Sequence, residues 1–138
     1  TQFIKNGESF WLIEVTRRCP GDLYSKLIEL STGFNYAEMY ARPFLGQSFD
    51  LNKIILKKSW VMRHTITLPA ESILGSIHFK LPILIEKMVP ISSAGDLIKA
   101  SPFSRIALLF TRNNSEKELL DVFKKTLDRD LYDIYDDC

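Results

Sequence analysis

Residues Gln2 to Asp22, QFIKNGESFWLIEVTRRCPGD, constrain the fold more than any other stretch, because they combine a turn signal, two β-prone runs and a regular row of polar side chains. Asn6-Gly7 interrupts the first apolar run, and both residues tolerate positive φ, so a hairpin is expected there. The second strand is followed out through Glu14, Thr16 and Arg18, two residues apart, and a strand projects alternate side chains to one face. A carboxylate, a hydroxyl and a guanidinium are therefore expected to point the same way. A two-residue Asn-Gly loop would pair Gln2 with Trp11 and place it on the opposite face. A three-residue loop, with Lys5 and Asn6 in a type I turn and Gly7 in a G1 bulge, sets Gln2 across from Phe10 and on the face of Glu14; this is the expected geometry. Cys19-Pro20-Gly21-Asp22 then ends the extended run and leads into a helix, whose N-terminus suits an anion.

At these residues the chain resembles the ATP-grasp enzymes, and within them the biotin carboxylase-like branch. That family closes its nucleotide-binding domain with a hairpin that supplies two acidic magnesium ligands, the second opening a Glu-x-Asn-x-Arg motif. The corresponding positions here are Gln2 and Glu14, followed by Thr16 and Arg18. A glycine-containing loop, a helix and a phrase of the type apolar-Glu-x-x-Thr-Gly-apolar-Asp come next in the family, and LIELSTGFNYAEMYARPFLG from Leu27 to Gly46 mirrors them. Gln2 stands where the family has an acid and Thr16 where it has asparagine. The resemblance covers Gln2 to about Gly46 well and the remainder loosely. It implies ATP and Mg²⁺ as cofactors, Glu14 as the metal ligand, Gln2 and Thr16 as cofactor contacts, Arg18 as the catalytic cation, and Gly21 and Asp22 on the loop that meets the acceptor substrate.

The 138 residues are within the size of one domain and can bury a core. They do not amount to a whole ATP-grasp enzyme, so the chain is expected to be the C-terminal portion of a longer parent. A net charge of +1 gives no steering toward nucleic acid or a membrane. Cys19 and Cys138 are too few and too ill-spaced for a disulfide framework or a zinc site, which fits a reducing, cytoplasmic setting. Leu81 to Ile91, the most apolar stretch, is broken by Glu86 and Lys87 and falls short of a membrane span.

The expected fold class is α+β: the C-terminal part of an ATP-grasp domain, a β-hairpin plus helices, over residues 1–58, then a small mixed or antiparallel sheet with one closing helix over 59–138. Leu23, Leu27 and Leu30 recur at helical spacing up to Gly33, a C-cap glycine, and one face of this helix is expected to pack on the hairpin. Asn35 and Glu38 form a capping box for a second helix that Pro43 ends or kinks. Leu51 to Lys58 suggests a helix tail. Strands are expected at Trp60–Leu68, Ile73–Phe79, Ile83–Ile91 and Arg105–Thr111, with Pro90 limiting the third to an edge or its end. Ser115 and Glu118 open a helix whose core face is Leu119, Val122, Phe123 and Leu127, and LYDIY is a final short strand.

Glu14 is costly to bury unless it meets a cation or donors, so it either holds metal or pairs with Arg18. Arg17 alternates to the other face, as a surface salt bridge. Asp22 either caps the helix or holds a substrate amine. Cys19 beside two arginines is expected as a packing residue rather than a nucleophile, because His64 and His78 lie far off in sequence on sheet strands. No phosphate loop, dinucleotide fingerprint or basic-aromatic stripe is found. Three functions remain open: a working ligase that joins a small-molecule carboxylate to an amine or other nucleophile, a degenerate ATP-grasp module binding a ligand or partner subunit, and an unrelated α+β interaction domain. For the first, the partners are those substrates and the N-terminal remainder of the parent chain, with a homodimer among the assemblies left open and neither nucleic acid nor membrane involved.

Overall fold

A computed structural model describes residues 2–15, 19–48, 50 and 54–136. Strands β1 (Gln2–Asn6) and β2 (Ser9–Glu14) form the N-terminal hairpin. Its loop is the two-residue Gly7-Glu8, with Asn6 paired to Ser9 and Gly7 at φ 59°, the glycine-first arrangement that matches strand twist. The expected three-residue loop with a bulge at Gly7 is therefore incorrect. The register shifts instead between Gln2 and Phe3, so Phe3 pairs with Leu12 while Gln2 pairs with Glu14. Gln2 thus reaches the side of Glu14 through an irregularity at the far end of the hairpin.

Helix α1 (Tyr24–Thr32) ends at Gly33, whose φ of 74° is the left-handed C-cap that glycine adopts without a Cβ clash. Its start differs from expectation. Asp22 and Leu23 are both left-handed, at φ 53° and 55°, and no side chain caps the helix, so Asp22 is not the cap. Nor does α1 pack on the hairpin; it lies against the strand from Trp60 and against α2 (Tyr36–Ala41). Asn35 caps α2 by accepting from the Glu38 amide at 3.2 Å, and Pro43 turns the chain into a short 3₁₀ helix, Arg42–Leu45.

The helix tail expected at Leu51–Lys58 falls partly outside the described residues, and its described part, 54–58, is irregular. The Lys57 and Ser59 amides donate to the Thr32 and Ser31 carbonyls, both at 2.8 Å. This segment satisfies carbonyls that the end of α1 leaves without an intrahelical partner, which a helix of its own would not do.

The second lobe is built on β3 (Trp60–Ile66), β4 (Ser72–Ile73), β5 (Ser76–Phe79), β6 (Leu84–Pro90), β7 (Leu97–Ile98), β8 (Ala107–Asn113), α3 (Glu116–Leu127) and β9 (Tyr132–Tyr135). β8 is the centre of an antiparallel sheet of order β3-β8-β6, and β4 pairs with β7 and β5 with β9, also antiparallel. Pro90 ends the edge strand β6, as its missing donor requires. The single strand expected over Ile73–Phe79 is divided because the backbone changes partners: the Leu74 amide donates to Asp96 and the next, Gly75, to Tyr135.

The core gathers Ile66, Leu74, Ile98, Ile106, Leu109 and Leu131, each 4% exposed or less. Val122 of α3 packs against it and Leu119 is half-buried, whereas Phe123 and Leu127 are 46% and 66% exposed. The core face of α3 is thus narrower than its apolar stripe. Among the described residues, no helix is long and apolar enough to cross a membrane.

Candidate functional site

The open end of the hairpin carries the candidate chemistry. Gln2 and Glu14 are direct cross-strand partners, both are exposed, and Glu14 has no ion-pair partner among the described residues. Paired residues in an antiparallel ladder lie side by side, so an amide and a carboxylate share one surface. Both present hard oxygen donors suited to Mg²⁺, which commonly takes one or two protein ligands and completes its shell with water and phosphate. Among the described residues no cluster of three or more acidic, histidine or cysteine side chains could hold a metal alone. Thr16 and Arg18 lie outside the described residues, as does Arg17.

The next described residue is Cys19, a half-buried free cysteine, from which the chain passes through Gly21 to Asp22. This loop is anchored from below by two arginines that sequence reasoning did not single out. The Asp22 carboxylate accepts from Arg105 at 2.5 Å and lies 3.8 Å from Arg63, and the Asp22 carbonyl accepts from Arg63 Nε at 2.7 Å. Arg63 is 92% buried, since its side chain retains 8% exposure; it stacks over Tyr24 at 4.7 Å and donates to Thr65 Oγ1 at 3.3 Å. One of its terminal nitrogens is buried without a hydrogen-bond partner. The Asp22 carboxylate thus faces Arg105 and Arg63 and does not cap α1, and the loop is fixed to the β3 surface through the Asp22 carbonyl. A guanidinium inside the strand VMRHTI was the available signal, the same one used to select Glu14.

On the opposite side of β3, His64 Nε2 is 2.8 Å from the Tyr132 hydroxyl. Burial, reinforced by the Arg63 charge, holds this imidazole below the ordinary histidine value. Burial likewise pushes the Tyr132 phenol up, opposed by Arg129 and by the Thr67 backbone. His78 sits edge-on to Tyr135 at 5.2 Å, a sheet residue as expected.

No family model and no curated protein matches this sequence. Among solved structures, the chain is similar to phosphoribosylglycinamide synthetase from Anaerococcus prevotii, with a TM-score of 0.71 at 16% identity over 98% of this chain. The fold is of the ATP-grasp type. The likeness takes in both lobes, and the chain spans 36% of the synthetase. At this identity the ATP-grasp likeness fixes architecture and leaves the side-chain chemistry to the residues themselves.

Proposed function

We propose that this chain is the C-terminal portion of an ATP-dependent, biotin carboxylase-like ligase that activates a carboxylate as an acyl phosphate, which an amine or other nucleophile then attacks. The observation that supports it most is the pairing of Gln2 with Glu14 at the exposed end of a hairpin, within an ATP-grasp architecture. Glu14 would hold Mg²⁺, and the ion when bound neutralises charge on the ATP phosphates. Gln2, a neutral neighbour, offers its amide N–H groups to a phosphate oxygen or its carbonyl to the metal. Arg18, two residues after Thr16 in the sequence, would supply a fork of fixed donors for the phosphoryl and acyl charge. Arg63 and Arg105 would act as positioning residues: they hold Asp22, and with it the loop proposed to meet the acceptor substrate.

Calorimetric titration of ATP into the full-length protein containing this chain, with and without Mg²⁺, tests the reading. Magnesium-dependent binding that Glu14→Gln weakens by at least about tenfold, with ligation abolished and the fold intact, is the expected outcome. Retained ligation by Glu14→Gln would remove that carboxylate from the mechanism. The replacement of a family acid by Gln2 motivates a second reading, a degenerate module that binds a ligand or partner subunit; absence of ATP binding by well-folded protein would favour it.

A further inference from the structure

A cleft of about 460 Å³ lies in the second lobe, away from the hairpin, between the end of β3, the last turn of α3 and the start of β9. Its size is that of a small-molecule site. Leu68, Pro69 and Leu127 form apolar wall, while His64, Tyr132 and Arg129 bring polar groups to it. The His64–Tyr132 hydrogen bond of 2.8 Å joins two of those groups into one fixed unit. Asp133 also lines the cleft, but its carboxylate is tied to Lys80 at 2.8 Å. Arg129 has no ion-pair partner among the described residues.

Arg129 occupies an unusual backbone position. The Asp130 amide donates to Lys125 at 2.8 Å and the Arg129 amide to Thr126 at 3.3 Å, the two bonds of a Schellman motif closing α3. Arg129 is the residue at φ 56° in that motif, where glycine is the common choice because it has no Cβ to clash. A side chain with a full-length guanidinium in a conformation that disfavours it, at the edge of a cleft, suggests that the guanidinium has a use there.

We propose that this cleft binds a small organic anion, a carboxylate or phosphate ester on a short apolar body, with Arg129 holding the anion and the His64–Tyr132 pair orienting a second polar group. The lowered affinity of His64 for a proton keeps it neutral near pH 7, able to accept or donate one hydrogen bond. The assignment is independent of the ligase reading, since no residue is shared with the hairpin site.

The test is an NMR titration of the protein with benzoate, phenyl phosphate and inorganic phosphate, in the native sequence and in Arg129→Gly. Glycine suits the left-handed position, so this variant should keep its melting temperature or raise it, which separates binding from folding. Saturable shifts at the Thr67, Arg129 and Tyr132 amides with benzoate or phenyl phosphate are expected, weakened roughly tenfold or more by Arg129→Gly, as loss of a charge-assisted contact requires. Which of the two organic anions binds more tightly assigns the headgroup. Shifts that do not saturate, an affinity unchanged in Arg129→Gly, or inorganic phosphate binding as tightly as phenyl phosphate would each overturn the proposal.

Discussion

Arg63 is a cation in the middle of a strand, and its surroundings explain why it is tolerated there: a carbonyl, a hydroxyl, a carboxylate and an aromatic face each meet part of the guanidinium. Arg63→Leu removes the donor to the Asp22 carbonyl and leaves the Asp22 carboxylate with Arg105 as its remaining cation. We expect a loss of about 1.5–3 kcal/mol in denaturant unfolding, the range for hydrogen bonds to charged groups, together with faster amide exchange in residues 19–23. Arg63→Lys should not restore it, because a single ammonium cannot replace a planar fork that both stacks and donates along two directions. Full stability of the lysine variant would show that charge alone suffices. His64, one residue on, gives a pH dependence. Its folded-state proton affinity lies below the ordinary 6.5, so between the two values the unfolded chain holds a proton that the folded chain does not. Stability is therefore complete above about 6.5 and lost as pH falls through that window toward the folded value, with a slope of at most about 1.4 kcal/mol per pH unit. Unfolding titrations at neutral and mildly acidic pH should show this slope in the native sequence and a shallower one in His64→Gln; equal slopes would assign the effect to other groups.

At the scale of elements, the hairpin turn depends on one backbone angle. Gly7 has φ 59° and open space where a Cβ would be, so Gly7→Ala meets no neighbour and costs only conformational energy, about 1–2 kcal/mol. Hydrogen exchange should rise across β1 and β2 and leave β3–β8 unchanged; protection lost in both would mean that the hairpin and sheet unfold together. The hairpin, both helices of the first lobe, the Asn35 and Ser115 caps and the edge position of Pro90 were legible in the sequence, because local chemistry determines each of them. The loop type was not, since Asn-Gly admits more than one register and the irregularity lies at Gln2, far from the turn. The segment before Ser59 was misread for a related reason: its amides answer carbonyls on α1, a non-local demand invisible in its own composition. In the candidate site, Glu14 was legible as a carboxylate at the end of an apolar strand and Gln2 only through the family resemblance, since its place beside Glu14 comes from the irregularity and not from the expected loop. The anchoring of Asp22 was not legible, because Arg63 and Arg105 reach it across long sequence separations.

Considered whole, the molecule keeps a buried core in one lobe and leaves the other open. Phe3, Ile4, Phe10, Trp11, Leu12 and Ile13 are each more than half exposed, on both faces of a two-stranded ribbon with unpaired outer edges. A ribbon of this kind is marginal alone and prone to pair with another chain. The isolated chain should accordingly self-associate, with sedimentation shifting toward larger species as concentration rises, and Trp11→Lys combined with Ile13→Lys should reverse this. Monomeric behaviour of the unsubstituted chain at high concentration would contradict it.

The pairing pattern of the second lobe also bears on how the protein is made. β3 is matched by β8, β4 by β7, β5 by β9, and β6 again by β8, so none of the strands from Trp60 to Pro90 has its partner among its neighbours in that stretch. On a translating ribosome these four segments emerge in turn with nothing to pair with, and the sheet can close only after Ala107–Asn113 has followed them. Long-range pairing of this kind is slow and leaves β-prone sequence uncovered meanwhile, so the nascent chain is a natural client for chaperones over that interval.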